Sequence, residues 1–188
     1  MIKRIRTSFY QNLIEPLVAS KNPPSFDARG VSFGLIVGFL APIGTHVISL
    51  CLIRFAFRFH FGIAFAFTFV SNPLNVVPLY YGYYYMGSWL LGKPVTLELE
   101  GFEKLLSPVL STTYFWEAVS AFAALGYEIL LRWFVSAVVL SVVFGALGYV
   151  VTYKIQVRRC KRAALRMGMN YEHYLEQLEK DTETRSTE

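Results

Sequence analysis

Apolar residues run through this chain in long blocks with almost no charge among them. Between Gly30 and Leu97 there is no Asp or Glu, and the basic residues of that stretch are Arg54, Arg58 and Lys93. The block from Gly30 to Ile53, VSFGLIVGFLAPIGTHVISLCLI after its first glycine, matches the ~20 residues a helix needs to cross a bilayer. Pro42 and Gly44 interrupt its middle, and because proline removes a backbone donor the pattern predicts either a kinked span or a hairpin that enters and turns back. Phe59 to Val70 is apolar but too short for a straight crossing. It breaks at Ser71-Asn72-Pro73 and resumes as Leu74 to Leu91, with a second interruption at Pro78. Trp133 to Tyr153 is the cleanest candidate span, uncharged throughout and aromatic at both ends.

The remaining segments are amphipathic or polar. Ile5, Phe9, Leu13 and Leu17 recur at steps of four and would stripe a short interfacial helix over residues 5 to 18, a frayed tail being the alternative. Asn22-Pro23-Pro24 halts any such helix, and Ser25 or Asp27 stands where it would cap the next. Residues 92 to 131 form the most polar internal region, with Glu98, Glu100, Glu103, Glu117 and Glu128 against Lys93 and Lys104. Phe102, Leu105, Leu106, Val109 and Leu110 fall there at helical spacing, predicting a short surface helix, and Thr113 to Leu131 reads as interfacial or half-inserted. After Gly168, Tyr171, Tyr174, Leu175 and Leu178 repeat at helical spacing behind Asn170 as a cap, followed from Lys180 by a tail expected to be disordered.

Together these patterns predict an all-α integral membrane protein, a small bundle of transmembrane helices with Pro/Gly-broken or re-entrant segments. It divides into a basic N-terminal segment (1–29), a membrane domain (30–153) and a basic, then polar, tail (154–188). Composition agrees: 54% of the chain is hydrophobic and only 16% charged. The net charge of +5 raises nucleic acid as a partner, but five of the eighteen basic residues lie in 1–29 and six in 154–166, flanking hydrophobic segments. That placement reads as membrane orientation with both termini cytoplasmic, and no aromatic-interleaved basic surface accompanies it. The expected partner is therefore the lipid bilayer, with no nucleic acid, and a homo-oligomer stays open.

With both termini inside, the number of crossings is even, and two topologies remain. Either residues 30–53 form a re-entrant hairpin that leaves Arg54 and Arg58 on the cytoplasmic side, with one crossing out and a return through Trp133 to Tyr153, or the chain crosses four times. The arginine charges favour the first. The first 29 residues lack an apolar core of signal-peptide length, so the first hydrophobic segment is expected to persist in the mature protein. Cys51 and Cys160 show no metal-ligand spacing and read as free thiols.

The candidate chemistry lies at the two breaks. Hydrocarbon cannot satisfy the backbone groups that a broken helix exposes, so such breaks persist only inside protein or beside a wet cavity. Pro42, Gly44, Thr45 and His46 mark the first, and Ser71, Asn72 and Asn75 the second, a pattern suited to a site for an anionic headgroup or phosphate facing free helix N–H groups. The competing structural reading is a packing kink and a helix cap. Arg54 and Arg58, one helical turn apart without a neighbouring carboxylate, could receive an anionic lipid or a phosphate-bearing small molecule, or could simply snorkel to headgroups. His46 is the one ionisable residue inside the first apolar block, His60 reads as interfacial, and Tyr80, Tyr81, Tyr83, Tyr84 and Tyr85 as an interfacial belt. Gly34 and Gly38, and Ala137, Ser141 and Gly145, repeat every four residues and suit close helix packing. No nucleophile elbow, zinc motif, phosphate loop or dinucleotide fingerprint appears, so no catalytic residue, metal or cofactor is expected. Any proton relay would have to borrow Glu117 or Glu128, or rely on His46.

The succession Pro-Ser, then G-x-x-x-G-x-x-x-P-x-G-T-H, then a helix with arginines, then S-N-P-L-N-x-x-P followed by aromatics, resembles the bacterial membrane proteins of the uncharacterised DUF2062 family. The matching positions are Gly34, Gly38, Pro42, Gly44, Thr45 and His46 in the first signature and Ser71, Asn72, Pro73 and Pro78 in the second, with Asn75 a departure. The resemblance spans Pro23 to Tyr153 and implies a compact integral membrane fold of helices without a settled activity. The function expected from the residues is transport-like or lipid-handling, with an anionic group held between the two breaks. The alternative is a non-catalytic accessory or scaffold protein acting through helix packing and its tail.

Overall fold

The computed structural model describes residues 20–42, 44–72, 74–111 and 114–187. Among these residues all regular structure is helical: α1 (Pro24–Leu40), α2 (His46–Ala56), α3 (Phe61–Thr68), α4 (Val76–Leu90), α5 (Leu99–Ser111), α6 (Phe115–Ala124), α7 (Tyr127–Arg166) and α8 (Tyr171–Thr187). The amphipathic helix expected over residues 5 to 18 lies outside the described residues, as do Pro73 and Thr113. Among the described residues one helix, α7, is long and apolar enough to cross a membrane. It extends beyond the expected Trp133–Tyr153 at both ends, to 40 residues or about 60 Å. Helix formers such as Glu128, Leu130 and Leu131 continue it at one end, and the basic run through Arg166 at the other.

The chain falls into two units, one holding the residues up to Val70 and from Ser141 on, the other residues 71–140. In the first unit α1 starts at Pro24, with Pro23 at the N-cap and no side-chain cap. The expectation of a Ser25 or Asp27 cap is thus corrected: proline at the first helical position presets φ and lacks the N–H that would need capping, so the helix begins earlier. The predicted break is present. α1 ends at Leu40, Gly44 stands at φ 93° before α2, and α2 runs back. The return is closed by hydrogen bonds, His60 N–H donating to Phe26 O at 3.3 Å and Arg29 Nη1 to Arg58 O at 3.2 Å.

α3 then lies alongside α1, and Gly34 and Gly38 mark the seam. A methyl at Gly34 would collide with the Ala64 carbonyl, and one at Gly38 would lie 2.6 Å from Val70 Cγ1. The other side of α1 meets α7 antiparallel. Phe39 stacks on Phe144 at 5.1 Å, a methyl at Gly145 would sit 2.7 Å from Ile36 Cγ1, and Asp27 reaches Gln156 at 2.9 Å. Both small-residue stripes are therefore used for close helix packing, with Ser141 buried and Gly145 seated against α1 of the same chain. Val142, Val143, Leu147, Val150, Val151 and Ile155 point outward.

The second unit is built around Tyr80, Tyr83 and Tyr84 of α4, all buried. This corrects the interfacial-belt reading for those three, leaving Tyr85 exposed. Their i, i+3, i+4 spacing turns them to one face, where Tyr80 meets the Trp133 ring at 4.8 Å and Tyr84 meets Phe102 at 5.8 Å. The α4–α7 approach is close enough that a methyl at Gly87 would strike the Arg132 carbonyl, and Ser136 Oγ donates to Tyr83 O at 2.8 Å. α5 forms as predicted and buries Phe102 and Leu106 fully. The tail also departs from expectation: α8 stays helical to Thr187, anchored by buried Leu178. Its Glu, Gln and Lys residues are good helix formers and its apolar side has a surface to cover.

The seam yields a paired expectation. Gly34→Val should lower stability by about 1–3 kcal/mol through overpacking, whereas Gly82→Ala, at a helical position with open space around it, should raise it by up to ~1 kcal/mol. Thermal unfolding of the purified variants reads both, and equal effects would contradict the packing described.

Candidate anion-binding site

Three arginines from separate places in the first unit line one cavity of about 380 Å³. Arg29 belongs to the second turn of α1 and Arg54 to the last turn of α2, while Arg58 lies in the connection to α3. The expectation that Arg54 and Arg58 share a helix face is corrected, because α2 ends at Ala56 and Phe57 is extended at φ −132°, ψ 138°. Extended backbone alternates its side chains, so Phe59 points inward, fully buried with Val37, Leu50 and Ala64, while Arg58 points out. Burying Phe59 favours that extended path over a continued helix. The helix α3 that follows is capped by His60, whose Nδ1 accepts from Ile63 N–H at 3.2 Å.

Two of the three guanidinium groups are held by backbone carbonyls. Arg54 donates to Phe59 O and lies 5.8 Å from the centre of the Phe59 ring, and Arg29 donates to Arg58 O. The nearest carboxylate in sequence, Asp27, is turned to Gln156 on the other side of α1. The facing wall is α8, which contributes Glu176, Glu179, Lys180, Thr182 and Glu183. Glu183 sits 3.7 Å from Arg58, but the two side chains are 72% and 64% exposed. A pair so wet contributes only ~0–1 kcal/mol. The cavity thus offers three guanidinium groups forked for oxyanions, two of them oriented by backbone carbonyls, with Glu176, Glu179 and Glu183 in the same lining.

The other predicted residues sit elsewhere. Pro42, Gly44, Thr45 and His46 close the α1–α2 turn: Thr45 Oγ1 donates to Pro42 O at 2.7 Å and His46 Nε2 lies 3.3 Å from Ala41 O. Asn72 and Asn75 form the start of α4, with Leu74 N–H donating to Asn72 Oδ1 and Asn72 N–H to Asn75 Oδ1, both at 2.9 Å, and Ser71 is buried beside them. None of these residues lines the arginine cavity. The first break belongs to one unit and the second to the other. Among the described residues no three His, Cys, Asp or Glu side chains gather as a metal site, and both cysteines are free.

Two polar centres escaped the sequence reading. Arg132 is buried in the second unit, donating to Ser88 Oγ at 3.0 Å and Pro94 O at 3.3 Å over the Tyr84 ring. Glu128, entertained as a relay carboxylate, lies 3.1 Å from Lys93 and 3.5 Å from Arg132. The second centre is Asp27, fully buried in the first turn of α1, where Gln156 Nε2 and Asn22 Nδ2 donate to it. Burial pushes its carboxyl up to about 6, against the pull of Ser20, Arg159 and Asn22. The only prior signal was an acid just after Pro-Pro, and that suggested a cap.

Because Asp27 binds its proton more tightly when folded, its contribution is fully present below pH 3.8 and is lost as pH rises through about 6. Wild-type stability should therefore decline across that window by on the order of 2–3 kcal/mol relative to Asp27→Asn. Unfolding midpoints measured from pH 3.5 to 7 check the slope, and parallel curves would contradict it.

Against known proteins, a profile described as "Uncharacterized protein conserved in bacteria (DUF2062)" matches residues 6–164. No curated protein and no solved structure matches the chain.

Proposed function

The chain belongs to the DUF2062 family conserved in bacteria, and from that premise and the geometry above we propose that it is an inner-membrane protein that binds an anionic group in the pocket of Arg29, Arg54 and Arg58, in a lipid-handling or transport-like role. The observation that carries this reading is the convergence of three guanidinium groups into one cavity, two of them, Arg29 and Arg54, anchored on the carbonyls of residues 58 and 59. Anchored guanidinium groups lose little further freedom on binding, and a phosphate can take two parallel N–H bonds from each.

Membrane insertion is supported by α7 and by apolar side chains that face outward on α2, among them Val47, Ile48, Leu52 and Phe55. In the proposed topology α1 and α2 form a re-entrant hairpin, and the chain then crosses outward once and returns through Trp133 to Tyr153 in α7. Phe39, near the hairpin's tip, lies against Phe144, midway along the uncharged part of α7. Arg29, Arg54 and Arg58 then share the cytoplasmic side with the basic run 154–166, where a headgroup would meet them. The scaffold alternative loses one support, since the Gly145 face is filled by α1 of the same chain.

Two measurements test this reading. Purified full-length protein in mixed micelles should bind phosphatidic acid over phosphatidylcholine, and the Arg29→Gln, Arg54→Gln, Arg58→Gln variant should bind it at least tenfold more weakly. Equal binding by wild type and variant would sink the site. In a chain with Cys51→Ser and Cys160→Ser, Gly101→Cys should label from outside intact cells whereas Arg54→Cys and Arg159→Cys should not. External labelling at 54 would replace the hairpin with a full crossing.

A further inference from the structure

The arginine cavity has one wall that is not part of its own helical hairpin. α8 follows α7 through a tight turn in which Gly168 adopts φ 66°, Met169 N–H bonds back to Ala164 O at 3.0 Å and Gly168 N–H to Leu165 O at 3.2 Å. The left-handed glycine ends α7 sharply and directs the chain back toward the pocket. Leu178 anchors α8 from one side, and Lys161 lies 5.4 Å from the Tyr171 ring at its start. Glu176, Glu179 and Glu183, spaced by three and four residues, then share the face turned to the arginines.

We infer that α8 is a built-in competitor for this pocket, its carboxylates standing in for a phosphomonoester group until such a group displaces them. The inference rests on the anion-binding reading above and deepens it. A carboxylate carries one negative charge, and the best-defined contact, Arg58 to Glu183, is long and mostly in water. A phosphomonoester brings up to two charges and three acceptor oxygens, and so makes shorter charge-assisted bonds with forked donors. The tether compensates for the weak contacts by keeping the carboxylates at high effective concentration. The pocket therefore stays covered at low ligand levels and opens when a phosphate-bearing group is abundant, and α8 swings out as the readable consequence. The group could be a lipid headgroup or a free phosphate ester, the shared chemistry being the terminal phosphate.

The experiment uses the full-length protein in phosphatidylcholine mixed micelles, titrated in parallel with phosphatidic acid and with glycerol 3-phosphate. The variant Glu176→Gln, Glu179→Gln, Glu183→Gln should bind about tenfold more tightly than wild type, while Glu172→Gln, outside the pocket, should not differ. In wild type, hydrogen exchange of α8 amides should speed up on saturation with ligand. Tighter binding of both titrants would identify the free phosphate ester as sufficient, and of phosphatidic acid alone a headgroup. If the triple glutamine variant binds no more tightly, yet the arginine variant of the previous section still loses binding, the competitor is refuted and the site stands. If wild type and the glutamine variant both fail to bind either titrant, the anion-binding reading falls and the competitor with it.

Discussion

The first unit depends on how closely the backbone of Pro24–Leu40 lies against the Phe61–Thr68 helix. At Gly34 there is no room for a methyl group against the Ala64 carbonyl. At that distance the two backbones make many dispersion contacts, and these hold the helices together. Once the two helices are flush, the chain between them must travel out and back, so α2 becomes the return limb of a hairpin. Residues 58–60 are then brought beside residues 26–29, and the three arginines become neighbours as a consequence of that closure.

Buried and exposed charges are handled differently in this fold. Asp27 and Arg132 sit out of solvent and are matched by hydrogen bonds from Gln156 and Asn22 in the one case and to Ser88 and Pro94 in the other. Removing water from such groups is tolerable only with this kind of compensation. Arg58 and Glu183 are left in water with a loose contact, where exchange for another partner costs little. The first kind of group is fixed within the packing by its hydrogen-bond partners, and for Asp27 ionisation there costs stability. The second kind is available for binding.

Legibility from sequence followed locality. The breaks at Pro42 and at Ser71-Asn72 could be read because proline, glycine and asparagine act on their own few residues, and the structure satisfies those polar groups within the same turns. The stripes of small residues could be read because a helix repeats its faces. The tyrosines of α4 were misread: aromatic residues near a membrane edge and aromatic residues in a core have the same spacing, and only Trp133 and Phe102 arriving from other helices distinguish them. Arg132 gave no signal of burial, since one cation at the margin of an apolar segment looks like a flank.

By itself, the sequence determined that the chain is helical, that its helices break at Pro42 and at Ser71-Asn72, which faces are small enough for close contact, and that α7 is apolar and long enough for a bilayer; the interruption expected at Pro78 is absent, because that proline falls in the first turn of α4, where its missing N–H costs no helix bond. These properties follow from periodicity and from the backbone chemistry of single residues. Only the tertiary structure decided which charges meet. Arg29 and Arg54 are far apart in the chain, and Glu183 is farther still. Their convergence depends on a hairpin closing, on Phe59 being buried so that Arg58 faces out, and on α8 folding back past Gly168. Each is a long-range packing outcome, and an oxyanion pocket built from such contacts has no contiguous motif to read.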